Sequence, residues 1–465
     1  MKKVFVFCIG GTGIRVMKSI TMLMAGGMST NGFTVVPVIL DPHLDLEEKK
    51  NLHSLIDNYE TIFKHSINNG TSTLNHLDGF FNAEMLTISE LNNELNDTNK
   101  ATGSKEKFRS YINVDSLGAR DINNYLIESL FSTKNLNNSL SVGFKGNPNV
   151  GTVVLGDMIE GADWFKAFKL HCEKDDRVFI ISSIFGGTGA SGYPLLEKKI
   201  RGATNQPTVK NALMGAVTVL PYYGLKDPST SGSDIDSTNF YTKTKAALAY
   251  YQNTVQSDYL YYIGEKTLRQ VYENDEQKQE DTANFIEVVA ASALFDFLKR
   301  EKPERRQYMT RAIEDDKESM SLPSLGDGYK DIIKSVADYM LLRQLVEHLC
   351  DEPFFPLSKD RGLDRSFYKD SPFLSLKKFT NVYFKWYHEL ATNNRAFAPL
   401  HYDDPRRMSE FIKHMNLDAK DDSYYLLEMI KASNAYKAKD HSNKFRFFLQ
   451  FAYDAINGFT QKIMK

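Results

Sequence analysis

Residues Arg177–Arg201 read RVFIISSIFGGTGASGYPLLEKKIR. A short apolar run, Val178 to Ser182, gives way to a glycine-rich turn, Gly186-Gly187-Thr188-Gly189-Ala190-Ser191-Gly192, and then to a stretch of helical character, Tyr193 to Arg201. Strand, glycine turn and helix in that order build a phosphate site. Without a Cβ the backbone can approach an anion, and the helix N-terminus offers free N–H groups and the positive end of its dipole. A second unit of the same kind opens the chain: Lys2–Ile20 reads KKVFVFCIGGTGIRVMKSI. Neither turn carries the GKS or GKT of a P-loop, and the N-terminal one lacks GxGxxG spacing, so phosphate would be held mainly by backbone N–H groups and helix ends.

Working outward, Val4 to Ile9 reads as a buried strand, Gly10-Gly11-Thr12-Gly13 as its loop, and Ile14 to Ala25 as a helix with apolar residues at Ile14, Met17, Ile20 and Met24. Phe33 to Leu40 is the next strand and ends at Asp41. Short links between strand, helix and strand predict a right-handed crossover and a parallel sheet, with Asp41 at its carboxyl edge, where ligands bind in open α/β folds. Residues 53–141, rich in Asn, Ser and Thr, read as a partly helical insertion. Gly143 to Gly151 is a turn leading into a helix. Strands are expected at Ala212–Leu220 and Tyr259–Ile263, with a polar loop over 226–236 and a helix at Phe240–Tyr251. Thr282–Lys299, apolar almost all round, predicts a helix buried inside the protein. From about Lys302 the chain becomes charged, and beyond Asp331 the pattern is helical: Ile332–Leu349, Leu374–Leu390, and two or three helices between Met408 and Phe459. The break between two domains is expected near residues 300–330.

Composition narrows the classes. Apolar residues make up 42% and charged residues 25% of 465, ordinary for a globular chain with a sizeable core. A formal charge of −2 gives no reason to expect direct nucleic-acid binding. Three separated cysteines (Cys8, Cys172, Cys350) supply neither a disulfide framework nor zinc spacing, and His171-Cys172 has no second pair to complete a metal site. The apolar run after Lys2-Lys3 is too short for a signal core, and no stretch approaches the about 20 apolar residues of a membrane span. A soluble, cytoplasmic protein is expected. No Ser-His-Asp or paired-carboxylate grouping can be argued from spacing.

Four loops together resemble those of the tubulin and FtsZ superfamily of GTPases. The family's signature GGGTGSG or GGGTGTG is matched by Phe185–Gly192, FGGTGASG; its first loop, GxGGxGxN, by Cys8–Arg15, CIGGTGIR. The bacterial TDAQAL-like segment corresponds to LDPHLDL with Asp41, and the γ-phosphate-facing GAGANPEVG to Gly143–Gly151, GFKGNPNVG. The resemblance covers roughly residues 3–300. It departs from the family in Cys8 for a glycine, in Arg15 for an asparagine, and in the absence of FEGxxR after Leu220. The acidic loop that a neighbouring subunit supplies for hydrolysis is not spelled out; Glu314, Asp315 and Asp316 stand at about its distance in a charged stretch.

The resemblance implies an α/β fold: a Rossmann-like parallel sheet of tubulin/FtsZ type with a central helix over residues 1–300, then an α-helical C-terminal domain over 301–465. It implies GTP or GDP as ligand, with Mg²⁺ accompanying the nucleotide. Gly10, Gly11, Thr12 and Gly13 with Gly186, Gly187, Thr188, Gly189, Ala190 and Ser191 would hold the phosphates; Gly146 and Asn147 would face the γ-phosphate; Asp41 would join them from the second strand. Aligned on the family's base-reading positions, Glu265 and Asn284 would take guanine. Family behaviour would be head-to-tail assembly into filaments with GTP between subunits and slow hydrolysis, the catalytic residue being unidentified. Two other classes stay open: a non-polymerising GTP-dependent switch or scaffold that binds a protein through its helical domain, and a small-molecule enzyme on a Rossmann-like sheet.

Overall fold

The computed structural model describes residues 1–43, 47–67, 79–91, 106–118, 121–141, 143–225, 239–265, 270–272, 282–313, 328–351, 363–400, 431 and 443–463. The strands are β1 (Lys2–Ile9), β2 (Phe33–Leu40), β3 (Arg177–Ser183), β4 (Leu213–Val219), β5 (Tyr223–Leu225), β6 (Tyr259–Glu265), β7 (Gln270–Tyr272) and β8 (Gln307–Ile313). The longer helices are α1 (Gly10–Ala25), α2 (Glu47–Ser66), α3 (Ile122–Leu130), α4 (Pro148–Glu160), α5 (Asp163–His171), α6 (Gly187–Arg201), α7 (Phe240–Thr254), α8 (Phe285–Leu298), α9 (Tyr329–Asp351), α10 (Ser371–Thr392) and α11 (Lys444–Ile463).

Six strands form one all-parallel sheet in the order β2-β1-β3-β4-β6-β8, and β5 pairs with β7 in a small parallel ribbon. Parallel pairing requires a crossover after each strand, and those crossovers cover both faces. The near-continuous apolar runs follow from that. Along β1, Val4, Val6 and Cys8 face one core while Phe5, Phe7 and Ile9 face the other. The first core joins the sheet to α1, α2, α8 and the C-terminal helices; the second joins it to α4, α5, α6 and the Tyr251 side of α7. Helix α8 is buried along nearly its whole length, as its unbroken apolar sequence requires. The fold is therefore α/β: a Rossmann-like parallel sheet with a central helix, followed by helices.

Two details differ from the sequence expectation. The glycine stretches are not loops ahead of their helices but the first turns of α1 and α6. Their missing side chains let each helix start directly against the strand ends. And the charged stretch beyond residue 301 first adds β8 to the sheet edge before the helical region begins. Helices expected within 401–430 and 432–442 lie outside the described residues, as do the 226–236 loop and Glu314, Asp315 and Asp316. Among the described residues no helix is long and apolar enough to cross a membrane.

Candidate functional site

The strand order reverses direction between β1 and β3, and their carboxyl ends lead into α1 and α6. Crevices at such switch points are the ligand sites of open α/β sheets. Neither helix N-terminus is closed by the side chain of its cap residue. The residue before α1, Ile9, and the residue before α6, Gly186, give no side-chain cap, and neither first turn holds an acidic residue. The leading N–H groups of both helices therefore have no intrahelical acceptor, and both dipoles present their positive ends to the crevice.

The two turns touch. A Cβ built on Gly10, whose φ is +72°, would lie 3.4 Å from the Thr188 Cβ. The Gly143–Asn147 turn closes over them: a Cβ on Gly187 would stand 3.1 Å from the Asn147 N and 3.2 Å from the Gly146 N. That turn is held open-handed by positive φ at Gly143, Lys145 and Gly146. Asn147 pins it by donating its backbone N–H and its Nδ2 to the Phe144 carbonyl, at 2.8 and 3.1 Å. Lys243 Nζ donates to the Gly146 carbonyl at 2.9 Å. Three of the four expected loops thus meet. Within them Thr12 and Ala190 are buried; the Ser191 hydroxyl donates back to the Gly187 carbonyl at 2.7 Å, and the Ala190 carbonyl accepts from Tyr251.

Asp41, the fourth, is buried at the end of β2 and accepts from the His43 N–H at 2.8 Å. Burial pushes its carboxyl above the usual range, against the opposing pull of that hydrogen bond and of the His43, Lys49 and Arg15 charges.

Beside it lies a cluster that the sequence marked only as a departure from the family asparagine. Arg15 donates from Nε to Glu287 Oε1 at 2.9 Å and from Nη2 to the Tyr222 hydroxyl at 3.1 Å; its Nη1 stands 3.5 Å from Glu48 Oε2. The Tyr222 hydroxyl itself donates to Glu287 Oε1 at 2.8 Å. Burial opposes the Arg15 charge, and Tyr222, Glu48 and Glu287 outweigh it, so the guanidinium stays cationic. The cluster borders the first turn of α1, since a Cβ on Gly11 would be 3.7 Å from Arg15 Nη1. A cleft of about 540 Å³ between α1, α2 and α10 opens there, lined among others by Arg15, Lys18, Glu48 and Lys385. Separations of 207 and 272 residues put Arg15 and its partners beyond the reach of local pattern.

The two expected base-reading residues lie farther along the edge, and each already has work. Glu265 ends β6, is 8% exposed, and is ion-paired with Arg395. Asn284 is fully buried and caps α8: its Oδ1 accepts from the Ile286 N–H at 3.0 Å, while Glu287 Oε2 accepts from the Asn284 N–H at 3.0 Å to complete a capping box. Both are laced to the turn after α10. Asn393 Nδ2 donates to the Ala283 carbonyl at 3.4 Å and to the Tyr272 hydroxyl at 3.3 Å, and Glu389 accepts from the Ala283 N–H at 3.1 Å. Nothing local in the sequence announces Arg395. Among the described residues no group of three His, Cys, Asp or Glu could hold a metal ion.

No protein-family model matches the chain, and no curated protein matches it. Among solved structures, CetZ from Methanosaeta thermophila strain DSM 6194 is similar over 71% of this chain and 59% of its own, at 14% identity and a TM-score of 0.28. The chain spans less than two thirds of that structure, and a likeness at that score is no basis for assigning ligand or activity.

Proposed function

We propose that this chain is a tubulin/FtsZ-like guanine-nucleotide-binding protein whose subunits stack head to tail with GTP between them and hydrolyse it slowly. The observation that carries the reading is the meeting of two uncapped helix N-termini at the switch point, covered by the Gly143–Asn147 turn. By contrast α8 is closed by its own Asn284 and Glu287. Backbone N–H groups at Gly11–Gly13 and Gly187–Gly189 would take the phosphates, Gly146 and Asn147 the terminal one, and Glu265 with Asn284 the base. Each phosphate charge at a helix N-terminus gains roughly 0.3–1 kcal/mol, more where buried. Mg²⁺ would enter with the nucleotide, and a reducing, cytoplasmic setting belongs to the same reading.

A second reading is favoured by one feature. The turn after α10 grips both Glu265 and the residue before Asn284, so base binding would be felt directly by the C-terminal helices. That suits a GTP-dependent switch that engages a protein partner without polymerising. Sedimentation and electron microscopy with GTP, GDP or ATP separate the two. Filaments that pellet with GTP and fall apart with GDP are the expected result; tight GTP binding by a chain that stays monomeric selects the switch; no nucleotide dependence of any kind removes both.

A further inference from the structure

We propose that the cavity between α4, α6 and α7 is a binding site for a small apolar anion, an aryl or acyl carboxylate or sulfonate. The site borders α6 but not α1, whereas the phosphate crevice lies between those two helices. It does not depend on the guanine-nucleotide reading.

The cavity holds about 550 Å³, a size that encloses a small organic molecule. Each helix gives it one face: Val153 comes from α4, Pro194 and Lys198 from α6, and Ala247, Tyr250 and Tyr251 from α7. Its floor has little left to offer a polar ligand. Pro194 has no N–H, so the Ala190 carbonyl one turn back lacks its helical donor. The Tyr251 hydroxyl supplies one at 3.0 Å, and the Ser191 hydroxyl donates to the Gly187 carbonyl at 2.7 Å. With those groups paired inside the protein, the floor presents apolar surface. The mouth is open to solvent: Tyr251 is 1% exposed, but its neighbour Tyr250 is 55% exposed.

Charge decides the other end of the ligand. Among the described residues no acidic side chain lines the cavity, and two lysines do. Lys243 donates to the Gly146 carbonyl at 2.9 Å, and Lys199, next to the other, is paired with Glu160. Lys198 is exposed and has no carboxylate partner among the described residues. Helix α4 adds the same sign. Pro148 and Asn149, its first residues, line the cavity, its cap residue makes no side-chain bond, and its first turn has no acid. The cleft beside Arg15 is different, since it mixes Lys18 and Lys385 with Glu47, Glu48 and Glu389. An apolar body on the floor and an anionic head beside Lys198 satisfy both halves of the site; a cation satisfies neither.

The probes are anilinonaphthalene sulfonate, an apolar anion that fluoresces on leaving water, and N-phenylnaphthylamine, the same rings without the sulfonate. Both are titrated into the wild type, into Ala247→Trp, which fills the cavity, and into Lys198→Gln, which removes an exposed cation. If Ala247→Trp fails to fold, Ala246→Phe at an exposed lining position replaces it. The wild type is expected to saturate at one probe per chain, and the filled variant to bind both probes about 10-fold or more weakly. In Lys198→Gln the ratio of sulfonate to neutral affinity should fall about threefold, the scale of a part-exposed ion pair. Taking the ratio cancels the greater apolarity of the neutral probe. No saturable binding by the wild type overturns the site. So does binding that survives in the filled variant, which would belong to another surface such as the exposed Ile122, Tyr125 and Leu126 of α3. Displacement of the probe by GTP would put it in the crevice and overturn the site as well. An unchanged ratio in Lys198→Gln overturns the assignment of an anion.

Discussion

A Cβ placed on Gly13 would lie 2.6 Å from the Cys8 carbonyl carbon, and one on Gly189 2.5 Å from the Ser183 carbonyl oxygen. Both contacts are with backbone, which cannot swing aside. Gly11 is different: it is half-exposed, and its nearest neighbours are the ends of the Arg15 and Glu48 side chains at 3.7 and 3.8 Å. The glycines that look alike in the sequence thus divide into those that let a helix press against a strand end and one whose side faces the Arg15 and Glu48 side chains. Gly13→Ala and Gly189→Ala should each cost about 1–3 kcal/mol or more in urea unfolding, because the core is overpacked against main chain. Gly11→Asp should change stability by less than about 1 kcal/mol, since an acid at a helix N-terminus is favourable. Equal losses at all three positions would contradict this division. The sequence shows that glycine is required here but not which neighbour requires it, because Cys8 and Ser183 approach only when each helix folds back on its own strand, and Ile181 reaches Gly13 only when β1 and β3 pair.

At the scale of elements, the buried strands β1 to β4 and β6 were legible because a sheet covered on both faces demands unbroken apolar runs. The edge strand β8, QYMTRAI, was not: one of its sides faces no neighbouring strand, so polar residues are tolerated and the run reads as charged surface. The start of α8 was legible as a helix but not as a closed one, since its cap doubles as a partner of Arg15 through Glu287. Helix α2 carries a pH-dependent contribution of its own. Glu60 is pushed up to about 8 from 4.5, chiefly by burial and then by the Glu90 charge, with Lys64 opposing. A carboxyl raised on folding adds stability that is full below its unfolded value near 4.5 and is lost as pH climbs through about 8. Glu60→Gln cannot ionise, so its melting temperature relative to the wild type should rise between pH 5 and pH 8.5. A difference that stays constant over that interval would show that Glu60 does not titrate in this way.

At the scale of the whole molecule, the C-terminal helices do more than follow the sheet. Tyr339 and Tyr383 stack with centroids 4.0 Å apart over the same core that holds Val4 and Phe285, and Ser335 donates to the Leu23 carbonyl at the end of α1. The change of composition near residue 300 was visible in the sequence; that β8 and this shared core continue across it was not, because both depend on contacts between residues hundreds of positions apart. The turn after α10 then ties these helices to Glu265 and Ala283 at the sheet edge. Everything proposed about assembly, switching and base choice depends on one property of the folded chain, that the crevice between the α1 and α6 N-termini takes the phosphates of a guanine nucleotide. Calorimetric titration of GTP into the wild type and into Gly11→Asp tests it most directly. The account predicts saturable binding by the wild type and a loss of at least about 100-fold in the folded variant, where a carboxylate is added to the first turn of the helix whose N-terminus would meet the anion. Equal affinities in the two proteins, or no binding by the wild type, would contradict it.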